Sequence, residues 1–185
     1  SLLQSAAEWL KARGCTHIIG PASFSTNEEC GLLVSGFDSP PVIMMPYNPP
    51  YYVSLVEQCG LVKAKDLYAY LVEGKNGVPE RFERLCGLVA KKHSATVRKL
   101  DFSRLDSEMD ILFDIYNSAW ERNWGFVPMT REEFFFSAGD LSKIADRDIV
   151  LVLEVNGEPA GFSLSLPDIN PALKAMKGRM LPFGW

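Results

Sequence analysis

The segment Asn48-Pro-Pro-Tyr-Tyr-Val-Ser-Leu-Val-Glu-Gln-Cys-Gly-Leu61 constrains the fold more than any other stretch of the chain. Asn48 is predicted to cap a helix with its side-chain oxygen, and Pro49 takes the first helical position, where a missing N–H is no loss. Tyr52, Leu55, Val56 and Cys59 recur at three- and four-residue spacing and give one apolar face. Gly60 ends the helix as a residue free to take positive φ. Beyond it, Leu61 to Val72 alternates and reads as a strand.

The rest of the first half follows the same logic. Leu2 to Arg13 carries Leu2, Leu3, Ala6, Ala7 and Leu10 on one side and stops at Gly14, a helix pattern. Thr16 to Ile19 reads as a short strand that packs His17. Asn27 is expected to cap a helix over Glu28 to Val34, with Glu28 and Glu29 in its first turn, as the helix dipole favours. Val42 to Met45 is expected to be extended and to face a substrate.

After the Gly74–Gly77 turn, a helix is predicted over Val78 to Lys92, and Lys91 to Ser94 is the best boundary. This divides the chain into residues 1–92 and 93–185. The second part opens with a strand, Thr96 to Leu100, and a long helix, Leu105 to Trp124. Thr130-Arg-Glu-Glu133 is a capping-box signature for a further helix, which should break near Gly139. Asn156-Gly157 between two apolar runs, Asp148 to Val155 and Pro159 to Leu166, is the strongest hairpin signal in the sequence. A short helix is predicted over Pro171 to Met176. The fold class is therefore α/β (α+β): a mixed, mainly antiparallel sheet receiving strands from both halves, with helices on both faces.

Composition excludes several functions. The net charge is −4 over 185 residues and no basic cluster stands ready to neutralise phosphates, so nucleic acid is not an expected partner. No apolar run is long enough to span a bilayer, so no membrane partner is expected. Cys15, Cys30, Cys59 and Cys86 lack the paired short spacing of a zinc site. They read as free thiols of a cytoplasmic protein, with no metal. The chain starts at Ser1 in a helix and stops in the apolar run Met180-Leu-Pro-Phe-Gly-Trp185, which suggests a processed or truncated polypeptide.

The Asn48, Leu55, Glu57, Gly60 and Leu61 pattern resembles the last conserved motif of the GCN5-related N-acetyltransferase (GNAT) superfamily. Val155-Asn-Gly-Glu-Pro-Ala-Gly-Phe162 is similar to that family's second and third strands. The resemblance implies an acyl-CoA N-acyltransferase-like fold, with the closing half (1–92) preceding the opening half (93–185), or one composite domain in that order. It implies transfer of an acyl group from acetyl-CoA or another acyl-CoA to a small-molecule or peptide amine. Asn48, Ile18, Ile19 and Gly20 would then lie along the cofactor, the last three on a splayed strand. Met45, Tyr47, Trp120 and Trp124 would line the acceptor cleft. The family often places a tyrosine four residues before the glycine as general acid; here that residue is Val56, and Tyr51 and Tyr52 lie one helical turn earlier. The family's Arg/Gln-x-x-Gly-x-Gly/Ala loop for the pyrophosphate has no counterpart in the chain, so little acetyl-CoA binding is expected from these residues alone.

Blander readings stand beside these. Glu28 and Glu29 serve a helix start as well as they would serve an amine. Met44, Met45, Tyr47, Tyr51 and Tyr52 would equally fill a core, and Trp120 and Trp124 equally fill volume beside Asn117 and Asn123. Two histidines assemble no Ser-His-Asp or Cys-His constellation. The alternative to an enzyme is a non-catalytic module of the same fold for ligand binding or dimerisation; a third reading is an unrelated α/β binding protein. Open strand edges and the apolar tail favour a homodimer that buries Phe183 and Trp185.

Overall fold

The computed structural model describes residues 1–177; the tail with Phe183 and Trp185, on which the dimer expectation rests, lies outside the described residues. Two compact units are present, Ser1–Ala69 with the segment from Asp168 onward, and Tyr70–Pro167.

The second unit holds the sheet. After α3 (Glu80–Lys92) the chain enters β1 (Ala95–Lys99), α4 (Leu105–Trp120), α5 (Arg131–Leu141), β2 (Val150–Val155) and β3 (Glu158–Leu164). The three strands are antiparallel in the order β1-β2-β3, so the mixed α/β class and the antiparallel sheet are both present. The β2–β3 connection is the predicted Asn156-Gly157 turn, with both residues at positive φ (54° and 84°), as a two-residue hairpin that follows strand twist requires.

Pleating places Leu100, Val150, Val152 and Phe162 on one face, and α4 and α5 cover it with Leu112 and Phe134. Val152 is fully buried (0% exposed). Each such side chain contributes about 2 kcal/mol of apolar transfer. Phe134 also meets the rings of Phe113 and Tyr116 at 5.7 and 5.8 Å. A buried carboxylate, Glu108 of α4 (2% exposed), is satisfied by Arg98 of β1 at 2.8 Å, and Arg98 reaches Glu154 of β2 at 2.6 Å. Thr130 caps α5 through the predicted capping box with Glu133. Gly139 does not break α5, which runs on to Leu141; a single glycine weakens a helix by about 1 kcal/mol relative to alanine, too little to end one pinned by packing.

The first unit is built differently. It contains α1 (Leu2–Lys11), α2 (Tyr52–Gln58) and α6 (Asn170–Met176), and no strand among the described residues. The strand predicted over Thr16–Ile19 is extended but unpaired: β-branched side chains favour a strand only where a neighbouring backbone completes the ladder. His17 is exposed, its Nδ1 2.8 Å from the Thr16 hydroxyl. Leu61–Val72 is irregular for the same reason, so the sheet takes strands from residues 95–164 alone, not from both halves of the chain. The helix predicted over Glu28–Val34 is absent. An isolated bridge between Ala22 and Cys30 takes up that backbone, and Gly31 sits at φ 89°, outside helical space. Helices bury one face of the sheet only; Val97 and Leu153 on the opposite face are exposed.

Candidate functional site

Asn48 is buried (7% exposed), but not as a helix cap. Pro49, Pro50 and Tyr51 separate it from α2, whose N-cap is Tyr51 with no side-chain cap bond. Its carboxamide instead mimics a strand partner. Oδ1 accepts from the Leu33 N–H at 2.7 Å, and Nδ2 donates to the Leu33 carbonyl at 3.2 Å and to that of Pro49 at 3.1 Å. Gly60 ends the helix as predicted, at φ 88°, with its N–H on Glu57 and the Leu61 N–H on Val56, the doubled closure of a Schellman motif.

The other residues singled out in the first unit make separate contacts, and none of them is a hydrogen-bond partner of Asn48. The Tyr47 hydroxyl donates to the Phe37 carbonyl at 3.1 Å, and its ring meets Phe37 edge-on at 6.4 Å. Tyr51 and Tyr52 stack edge-to-face at 5.1 Å, and their hydroxyls make no hydrogen bond among the described residues. Met45 is half-buried, its N–H on the Val42 carbonyl at 3.1 Å. Ile18, Ile19 and Gly20 are exposed along the extended segment. Asn170 of α6 donates Nδ2 to the Pro41 carbonyl.

In the second unit, Trp120 lies against Tyr116 (5.8 Å) at the end of α4, half-exposed, and Tyr116 in turn meets Phe126 at 5.9 Å. Trp124 follows in the turn after the helix, also partly exposed. Asn117 repeats the Asn48 device: Oδ1 accepts from the Met129 N–H at 3.1 Å and Nδ2 donates to its carbonyl at 3.2 Å. On another side of α4, an open cleft of about 530 Å³ runs between the helix and β3, lined by Asp114, Ile115, Ser118, Ala119, Pro159 and Ala160. Periodicity places Asp114 and Ser118 on one helix face, but only the fold brings Pro159 and Ala160 to them.

Electrostatics are local. Hydrogen bonds from the Ser103 hydroxyl, then from Arg104 and the Ser103 N–H, hold Asp101 down to about 2. Glu133 is lowered by the Thr130 N–H and hydroxyl, and Asp148 by Lys99. These groups fix the starts of helices and a strand end. No group of three or more metal-ligating side chains gathers among the described residues.

A mixed α/β chain with this element order has relatives among curated bacterial proteins. It is 43% identical to a bacterial ceramide synthase of Caulobacter vibrioides, over the whole of this chain and 48% of that protein. It is 38% identical to protein YghO of Escherichia coli K12, again over the whole chain and 47% of the relative. The chain thus spans about half the length of the curated relatives it matches. No family profile and no solved structure matches it. No helix among the described residues is long and apolar enough to cross a membrane.

Proposed function

We propose that this chain is part of an N-acyltransferase that joins an acyl group, carried as acyl-CoA, to the amino group of a long-chain amine. The observation that carries the reading is the 43% identity along the whole chain to a protein named for ceramide synthesis. A ceramide is the amide of a fatty acid with a long-chain amino alcohol, so making one is an N-acylation. The resemblance of Asn48–Leu61 and Val155–Phe162 to the GNAT superfamily implies the same bond from a different starting point. On this reading β1, α4, α5, β2 and β3 are the opening elements of an acyl-CoA N-acyltransferase-like fold, working in the cytoplasm on a small-molecule amine.

The Arg/Gln-x-x-Gly-x-Gly/Ala loop that would cradle the pyrophosphate of coenzyme A has no counterpart in this sequence. Such a cradle needs free N–H groups at a helix N-terminus. On this reading the donor's phosphates are held elsewhere in the protein, this chain matching about half the length of its relatives, and this chain contributes acceptor-side surface. Tyr51 and Tyr52 keep hydroxyls free for proton transfer. The amine must be unprotonated to attack, and apolar surroundings favour that form.

The missing loop, with Val56 where a tyrosine would serve as acid, favours a second reading: a non-catalytic module of this fold that binds ligand or pairs as a homodimer. Purified full-length protein incubated with palmitoyl-CoA and sphinganine decides between them. N-acylation predicts amide and free thiol in equal amounts. Absence of amide with every amine offered supports the module.

A further inference from the structure

We infer that the cleft between α4 and β3 is a subsite for the cationic head of an amino alcohol; the inference rests on the N-acylation reading and names where the acceptor is recognised. The cleft has a structural origin. Gly161 pairs with Leu153 and Pro159 with Glu154, so Ala160 is an extra, unpaired residue of β3. Pro159 has no N–H to give the ladder, and a bulge is where a strand accommodates it. The bulge lies opposite the last turns of α4, and the space between them is the cleft. It is an open, shallow groove, suited to holding the head of a ligand rather than enclosing a whole one.

Its lining selects the ligand by chemistry. Two carboxylates of α4 are matched by arginines, Glu108 by Arg98 and Asp110 by Arg131 at 2.8 Å, and Asp106 lies in the helix's first turn, away from the cleft lining. Asp114 makes no hydrogen bond or ion pair among the described residues. Ser118, one turn on, spends its proton on the Ile115 carbonyl at 3.1 Å, leaving its oxygen to accept. Side chains at the polar end of the cleft therefore offer acceptors and negative charge, with no donor to hold an anion. A ligand must bring both donors and positive charge. A primary ammonium beside a hydroxyl does so, with the ammonium on Asp114 and the hydroxyl on Ser118. Phosphates and carboxylates are repelled. Ile115, Ala119, Pro159 and Ala160 supply apolar contact for the first carbons of the chain.

The test uses the full-length protein with sphinganine below its micellar concentration. Asp114→Asn should weaken binding by about fivefold, the order of an exposed ion pair, and raise the KM for amine without changing the KM for acyl-CoA. Its thermal midpoint should not move, because Asp114 bonds nothing in the fold. Ala119→Trp, which fills the apolar side, should weaken binding further. N-acetylsphinganine, with the same carbon chain and no charge, should bind wild type and Asp114→Asn alike. Equal affinity of wild type and Asp114→Asn for sphinganine overturns the subsite, as does a fatty alcohol of the same length binding as tightly as the amine. Amide formation with an unchanged amine KM in Asp114→Asn removes the subsite and leaves N-acylation standing. Asp114-dependent amine binding by a protein that makes no amide does the reverse.

Discussion

The two units reach order by opposite means. In Tyr70–Pro167, strands pair in register and two helices cover one sheet face, so the buried apolar residues (Leu100, Met109, Leu112, Phe134, Val150, Val152) all belong to it. In Ser1–Ala69 with the segment after Asp168, the only buried residue among those described is Asn48. Single side chains tie its loops to backbone: Asn48 to Leu33, Tyr47 to Phe37, Asn170 to Pro41. Ladders and cores are cooperative, whereas clamps act one at a time. The difference predicts where a mutation spreads and where it stays local.

The largest effect should come from Phe134→Ala. It removes a ring packed against Phe113, Tyr116 and Phe135 and costs about 3–5 kcal/mol, seen as loss of the cooperative thermal transition. An unchanged midpoint would mean that the second unit's core does not carry its stability. Next come the two asparagines. Asn48→Ala and Asn117→Ala each leave a backbone N–H and a carbonyl without partners, at about 1–3 kcal/mol. Asn48→Ala should speed amide exchange at Leu33 and leave β2 protected. Asn117→Ala should speed it at Met129 and also loosen α5, which starts at the next turn. Equal spreading from both substitutions would erase the distinction between clamp and core.

Smaller still is Thr130→Ala, at about 1 kcal/mol in denaturant titration, because one cap of α5 is lost while its packing remains. The mildest test is pH. Asp101, Glu133 and Asp148 all have folded values below their unfolded ones, so their contribution is present above about pH 4. It is lost as pH falls through the folded values, toward about 2 for Asp101. Stability of the second unit should decline across that window, and Asp101→Asn should flatten the decline. A slope unaffected by this substitution would place the acid sensitivity elsewhere.

The same contrast explains what could be read from the sequence. In the second unit, strong local signals agreed with the fold. Asn156-Gly157 gave the hairpin, Thr130–Glu133 the cap, and the apolar spacing of residues 105–120 the long helix. That helix stops at Trp120, short of the Trp124 its pattern allowed. In the first unit, α1, the Gly60 stop and α6 were legible because helices and caps are local. Thr16–Ile19 and Leu61–Val72 look like strands by residue type, but a strand exists only with a partner, which no local pattern reveals. Asn48 is a good cap by residue type, and its use fifteen residues away on Leu33 has no local signature. The α4–β3 cleft was missed for a related reason: Asp114 and Ser118 share a helix face, but the unpaired Ala160 that completes the site emerges only from the register of β2 and β3.

Hydrogen exchange on this chain, followed residue by residue, tests the contrast most directly. Amides of β2, Val150–Val155, and of the middle of α4 should be the slowest, because they open only when the second unit unfolds as a whole. Amides of residues 62–72, which belong to no helix or strand, should exchange within the earliest time points. Protection of residues 62–72 equal to that of Val150–Val155 would contradict the account, since it would require a paired strand where the structure has none.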